Sequence, residues 1–473
     1  MKKLSLFILG IYLSLSALGQ SAREVKLPRV DQRVELLSIV FRLAGNPEYN
    51  TTDNVNYVKQ IHQHFDQFTD HPLIKFAKSL RDSSGIGYDA VMSMAVHLKQ
   101  PPSLDAIGAF SVGLPDKRWN VATSEKFVSL LKQFYKDAGC KAFFKAQASA
   151  YATAEDRFLE LFKNLDVNWY YKFFGKSPDE SFNIIIGLGN GGSNYGPHLN
   201  LPGQQKKVYA IIGSGTFDST GAPVYGIASY LPTLIHEFNH SFINYLGDDY
   251  EQQLRGPGEI IYKKEAAKMG RQAYGEWKTM MNEALVRAAV IRYLYAHETD
   301  TLIADKELKQ QLARGFVWMR PLVNLLGQYE KQRASYPSLE SFMPQIVKFY
   351  AGVAQNINTY DDDYLRHCAQ LLSVEPFKKG DSSVNAGITE ITFNFDKRLD
   401  GVRYFFGPGK KGAGHYPKPL GFRFANDNKS IVMKVALQPN TEYQVSIAGS
   451  MMRTDDGYAV QNTMVEFKTG EAH

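Results

Sequence analysis

Two histidines four residues apart with a glutamate between them, in His236-Glu237-Phe238-Asn239-His240, form the segment of this sequence best suited to chemistry. On a helix, a four-residue offset stacks both imidazoles on one face, where they can share a cation. Glu237 falls near the same face, close enough to take a proton from a water activated by the ion without becoming a ligand. Neutral imidazole and carboxylate suit Zn2+, and an open coordination position lets zinc bring a water to a pKa of about 7. The chemistry implied is hydrolysis of a peptide or amide bond, with Glu237 as general base. The bland alternative, two solvated histidines on a surface helix, fits poorly. The neighbours Leu234, Ile235, Phe238, Phe242 and Ile243 are apolar and predict a buried helix, where unpartnered polar groups are costly.

Catalytic zinc usually keeps three protein ligands. The metzincin extension is missing, because Ile243 and Leu246 stand where that pattern needs Gly and His. The third ligand must then be a carboxylate further along. Glu283, in Met281-Asn282-Glu283-Ala284-Leu285, is the best placed, with Asp248, Asp249, Glu259 and Glu276 as rivals. An ordinary role for Glu283 would be a helical i,i+4 pair with Arg287. Taken with the motif helix and an upstream sheet, the Asn-Glu-Ala segment resembles the gluzincin metallopeptidases. That resemblance implies His236, His240 and Glu283 as zinc ligands and Glu237 as the catalytic residue. It departs at Arg287, where many relatives carry an acidic residue that orients a ligand histidine, so that support must come from elsewhere here. The chain also lacks the Gly-x-Met-Glu-Asn segment of gluzincin aminopeptidases. By residue type alone, Tyr274, Tyr350, Tyr360 and His198 could stabilise an oxyanion, though each is more ordinarily a packing or surface residue. Three other histidines, His62, His64 and His71, read as solvated positions. His297-Glu298-Thr299-Asp300-Thr301 lacks the second histidine of the motif and reads as a helix end.

These residues need elements to hold them. Leu231, Leu234, Ile235, Phe238, Phe242 and Leu246 recur at helical spacing and predict a helix over 229–246, with Pro232 near its start and Gly247 just past its end. A second long helix is predicted over about 265–298. Upstream, Phe182–Ile186 and Lys207–Ile212 are short β-branched runs that predict strands. The second could offer its edge to an extended substrate, with Gly213-Ser214-Gly215 letting a backbone approach closely. The glycine-rich loop 187–196 lacks a phosphate-binding signature and reads as a flexible rim of the site. From about Arg33 to Lys176 the pattern is helical. Beyond Pro376 the period switches to two, as in Ile391, Phe393, Phe395 and Ile431, Met433, Val435, Leu437. With turns at Pro439-Asn440-Thr441 and Asp456-Gly457, this stretch resembles the bacterial Ig-like modules appended to secreted enzymes. The expected organisation is a leader over 1–19, a helical N-terminal lobe over 20–176, a zincin-like catalytic region over 177–375 and an Ig-like β-sandwich over 376–473. The fold class is α+β.

Met-Lys-Lys followed by the apolar run Leu4–Leu15 and a small-residue end at Gly19 predicts a secretory signal peptide, too short to span a membrane. Secreted or periplasmic localisation follows. The formal charge of +6 includes Lys2 and Lys3, and no Lys/Arg block forms a nucleic-acid patch. Cys140 and Cys368 allow one disulfide at most, which excludes a cysteine-based zinc site. The expected partner is a peptide or protein substrate, with cell envelope or glycan as a further contact for the C-terminal module. As a whole the chain resembles secreted families known mainly as domains of unknown function that carry this zinc motif. Competing readings are a non-catalytic surface or binding protein with a vestigial metal site and a zinc amidase acting on cell-wall peptides.

Overall fold

The computed structural model describes residues 25–50, 55–111, 113–176, 180–297 and 301–471. The leader expected over 1–19 lies outside the described residues. The fold is α+β. No helix among the described residues is long and apolar enough to cross a membrane.

The small sheet that precedes the motif is built from the two runs anticipated as strands. Ser181–Gly187 and Lys207–Gly213 pair in parallel, with Arg29–Val30 added on the far side of the first and His198–Leu199 running antiparallel to the second. Ile184, Ile185, Ile186, Ile211 and Ile212 are buried, as expected of parallel strands covered on both faces. The expectation that Lys207–Ile212 presents a free edge is corrected. Its second edge is occupied by His198–Leu199 and by a bridge between Tyr195 and Ile211. The close approach permitted by Gly213 is likewise used internally, since a Cβ there would lie 2.2 Å from the Gly191 carbonyl oxygen.

After the sheet the chain forms the motif helix, Ile227–Asp249. It runs through Gly247 instead of stopping there. The reason is tertiary, because a Cβ on Gly247 would meet Asn282 Oδ1 at 2.1 Å. Gly247 marks a close helix crossing. The predicted single helix over 265–298 is in fact two, Glu251–Gly270 and Trp277–His297. They are separated by a turn in which Ala273 takes a positive φ of 62°. The helices Leu302–Ala313, Met319–Lys331 and Leu339–His367 complete this region.

The N-terminal helices and the motif region are not separate lobes. One continuous core runs from Val34 to Ile357 and takes in Phe41, Ile186, Ile212, Phe242, Val286 and Trp318. A second core belongs to the C-terminal module, where a four-stranded and a three-stranded antiparallel sheet bury Ile391, Phe393, Met433, Val445 and Phe467 between them. Its first strand is Leu371–Glu375, on the N-terminal side of the boundary expected at Pro376. The module is docked by Tyr458, which joins the first core, stacks on His367 at 4.7 Å and accepts a hydrogen bond from Arg320 at 3.1 Å.

Candidate metal centre

The motif helix is amphipathic in the sense that matters for a metal. Phe238 and Phe242 turn inward, Phe238 lying 4.4 Å from Phe182 and Phe242 4.4 Å from Phe174. That packing leaves His236, Glu237 and His240 on the half-buried side. A cavity of about 330 Å3 lies against Phe238 and Phe242 and is not lined by His236, His240 or Glu283.

Glu283, from the helix Trp277–His297, meets the two histidines. Among the described residues, His236, His240 and Glu283 form the one group of three potential ligands close enough to share an ion. His236 Nε2 and His240 Nε2 are 3.1 Å apart. Each ring nitrogen lies 3.5 Å from a carboxylate oxygen of Glu283, His236 from Oε2 and His240 from Oε1. Ligand atoms at zinc bond lengths of about 2.0–2.1 Å on tetrahedral corners stand about 3.3 Å apart. The three side chains therefore stand at spacings compatible with sharing one ion, each histidine facing a different oxygen of Glu283, and the histidines keep 16% and 25% of their side-chain surface exposed.

The surrounding groups bear on whether these side chains are in the forms a cation would need. His240 Nδ1 lies 3.1 Å from Asn244 Oδ1. Since that oxygen can only accept, Nδ1 carries the proton and the Nε2 lone pair points to the centre. Burial holds His236 well below the usual histidine range, against the opposing pull of Glu283. Burial pushes Glu283 upward, but His236, Arg287, His240 and a Tyr274 hydrogen bond outweigh it and hold the carboxyl at about 2. Glu237 is raised, chiefly by burial, which keeps its proton affinity high.

Arg287 fills the place where an acidic residue was missing. Its Nη2 donates to Glu283 Oε2 at 2.9 Å, and Tyr274 donates to the same oxygen at 2.9 Å. Gln311 Oε1 accepts from Arg287 Nη1 at 3.1 Å, and the Phe316 ring lies 5.5 Å from the guanidinium. The i,i+4 pair exists, but it is buried, with 10% and 11% side-chain exposure, and it orients Glu283 instead of covering a surface. Asn239 Nδ2 donates to the Val286 carbonyl at 3.1 Å and ties the motif helix to the helix that carries Glu283.

The rival carboxylates lie elsewhere. Asp248 pairs with Lys278, Glu259 is exposed beside Arg255, and Glu276 is an exposed residue bonded to Thr279. Of the candidates for oxyanion stabilisation, Tyr274 is the one bonded to a member of the cluster, Glu283. Tyr350 is sealed in the helical core, Tyr360 lies on the far part of the helix Leu339–His367, and His198 is on the exposed edge strand beside His97. His62 pairs with Asp66, His64 binds the Ala138 carbonyl, His71 caps a helix, and His297 ends one beside Asp166. Cys140 and Cys368 are both buried and unbonded to each other.

Sequence reasoning missed three contributors. Asn244, four residues after His240, carried a readable helical signal. Gly196 carried little, yet a Cβ there would come within 2.5 Å of Glu237 Oε2, so the rim loop lies directly against Glu237. Glu35 carried none. Fully buried, it accepts from the backbone N–H groups of Leu188 and Gly189 at 2.7 and 3.0 Å and from Tyr57 at 2.7 Å. Ser38 adds a 2.7 Å bond to Asn190. The rim predicted to be flexible is anchored to the N-terminal helix Gln32–Leu43.

Among solved structures, the chain matches two structures of the bacterial S-layer protein SbsC at 12% identity and TM-score 0.18, over 84% of this chain and 45% and 46% of those chains. A third, of the N-terminal part of SbsC, matches at 12% identity and TM-score 0.17, over 76% of this chain and 74% of that one. The chain thus spans about half the length of the first two, and likeness at this level carries no argument about fold or function. No curated protein matches. Residues 27–349 match a family model spanning most of the chain, and the protein belongs to the family described as Domain of unknown function (DUF4932).

Proposed function

We propose that this chain is a secreted, zinc-dependent peptidase of gluzincin type, with His236, His240 and Glu283 as metal ligands and Glu237 as general base. The observation that carries the reading is the convergence of three side chains from two different helices, with 3.1 Å between the two histidine nitrogens and 3.5 Å from each to one of the two Glu283 oxygens. A solvated pair of histidines would have no reason to face each other and a buried carboxylate together. The presence of Glu237 on the same turn favours a catalytic centre over a structural one, which would close with a fourth protein ligand.

A bound zinc ion would polarise the scissile carbonyl and acidify a water. The chain's own residues do the rest. Glu237 takes a proton at its carboxylate and returns it to the leaving amine, a task suited to a carboxyl raised by burial. Tyr274 and Arg287 fix Glu283 Oε2, and Asn244 fixes the His240 tautomer. The backbone around Gly196 lies beside the base on the antiparallel edge of the sheet, where an extended peptide can add main-chain hydrogen bonds. We read the C-terminal module as Ig-like, from its two antiparallel sheets around one core, and as the part that contacts envelope or glycan.

The test is metal analysis and peptide hydrolysis on the purified chain. His236→Ala and Glu283→Ala are expected to lose zinc. Glu237→Gln is expected to retain it while hydrolysis of casein and labelled peptides falls at least about 100-fold. Full hydrolysis by Glu237→Gln would end this reading.

A further inference from the structure

Arg287, which holds Glu283 Oε2 at 2.9 Å, is itself held from the segment that runs out of the helix Leu302–Ala313 and into the helix Met319–Lys331. Gln311, fully buried, accepts from Arg287 Nη1 at 3.1 Å, and Phe316 lies 5.5 Å from the guanidinium and 6.5 Å from the Tyr274 ring. The C-terminal module grips this same segment on both sides of those two residues. Lys309 Nζ donates to the Asp456 carbonyl and lies 5.4 Å from the centre of the Tyr458 ring. Arg320 Nη2 donates to the Tyr458 hydroxyl at 3.1 Å. Positions 309 and 320 thus bracket 311 and 316. Two positions apart on a helix, Lys309 and Gln311 face nearly opposite ways. One side of the helix meets the module and the other meets Arg287.

The turn that does the gripping is fixed before it reaches the helices. The buried Thr454 donates from its backbone N–H to the Tyr458 carbonyl at 2.8 Å and from its hydroxyl to Asp456 Oδ1 at 2.6 Å. Gly457 takes a φ of 93°, and a Cβ there would stand 3.3 Å from Lys309 Cδ, so the backbone passes close to the lysine stem. Tyr458 is 6% exposed, with its ring stacked on His367 at 4.7 Å. A guanidinium and a carboxylate orient each other well only when both are held to within about 0.5 Å.

We propose that Tyr458 is a positioning residue of the metal centre, through which the C-terminal module sets Gln311 and Phe316 against Arg287 and, through Arg287, the placement of Glu283. This rests on the zinc reading above and goes beyond it in making the module part of the centre. The ordinary role for Tyr458 is to dock one domain on another. The two roles part at contacts of the same interface that do not touch residues 309–320. Lys397 Nζ donates to the Arg366 carbonyl at 2.6 Å and Gln461 Nε2 to the Leu365 carbonyl at 3.1 Å, both on the helix Leu339–His367. Docking needs these as much as Tyr458, whereas positioning does not.

The experiment measures zinc affinity of the full chain by competition with a chromophoric chelator, and the absorption spectrum of the cobalt-substituted protein. Tyr458→Ala is expected to weaken zinc binding about 3- to 30-fold and to shift the cobalt spectrum. Tyr458→Phe, which keeps the ring against His367 and Lys309, is expected to recover part of the loss. Lys309→Met should weaken zinc in the same direction and carries the test if Tyr458→Ala does not fold. Lys397→Met should bind zinc within about twofold of the wild type. Gln311→Ala should weaken zinc, and adding Lys309→Met or Tyr458→Ala to it should cost less than the sum of the single effects. Zinc affinity within twofold of the wild type in both Tyr458→Ala and Lys309→Met overturns the inference. So does an equal loss in Lys397→Met, which would assign Tyr458 to docking alone, or full additivity with Gln311→Ala. Failure of the zinc reading itself is visible separately, as absence of stoichiometric zinc from the wild type, and it removes this inference as well.

Discussion

Replacing Glu283 by Gln separates a metal ligand from a structural ion pair, because the amide keeps an oxygen for Tyr274 and Arg287 while removing the charge. In the metal-free protein the carboxyl is held at about 2 instead of 4.5, which contributes about 3 kcal/mol of stability at neutral pH. Since the folded-state pKa is the lower one, the unfolded chain takes up this proton first on acidification. The contribution is complete above about 4.5 and is lost as pH falls through about 2. Glu283→Gln should lower stability at pH 7 by a comparable amount and flatten the acid limb of the stability curve in that window. Loss of an anionic ligand from a three-ligand site should also weaken zinc binding by about 3–4 kcal/mol, a factor of several hundred, given the 10–16 kcal/mol available to four-ligand sites. Chemical denaturation of metal-free protein gives the first quantity, and competition against a chromophoric chelator gives the second. If Glu283→Gln is destabilised yet binds zinc within about threefold of the wild type, the carboxylate only pairs with Arg287 and the assigned ligand set is wrong.

Three further outcomes follow from the geometry. Gly196→Ala puts a Cβ 2.5 Å from Glu237 Oε2 and should lower kcat at least about tenfold with zinc content unchanged, as read by single-turnover kinetics. Gly247→Ala drives a methyl to 2.1 Å from Asn282 Oδ1, next in sequence to Glu283. It should weaken zinc binding by separating the two helices, at an overpacking cost of about 1–3 kcal/mol against a helix-propensity gain of about 1, measurable by thermal melts with and without zinc. Glu35 is pushed up to about 7 by burial, despite hydrogen bonds from Tyr57, Leu188 and Gly189. Its contribution is therefore full below about 4.5 and lost as pH rises through about 7, so Glu35→Gln should remove a downward slope in stability across that range.

The parts of the centre that follow from local periodicity could be read directly. His236, Glu237 and His240 are carried by one helix, and a four-residue spacing fixes their common face whatever surrounds them. The strands Ser181–Gly187 and Lys207–Gly213 were equally legible as β-branched runs between glycines, as was the change to an alternating pattern in the C-terminal module. Glu283 was narrowed by sequence to one of five carboxylates, because a ligand on another helix leaves no periodic trace on the first. The sequence ranked it first among them, and packing brings it to the two histidines, through the crossing at Gly247 and Asn282 and the Asn239–Val286 bond. The same cause explains the misread boundaries. Gly247 looked like a helix end by propensity and instead serves a close contact, while Ala273, a good helix former, sits at positive φ in the turn that delivers Tyr274 to Glu283. Arg287 read as a surface partner, whereas the structure buries it against Glu283. Glu35, remote in sequence from everything it holds, gave no sign at all. Sequence determined which residues could perform the chemistry, since that depends on spacing along one element. Tertiary structure decided which carboxylate joins them, what orients it and which loop lies against the base, since those depend on contacts between segments that no local pattern encodes.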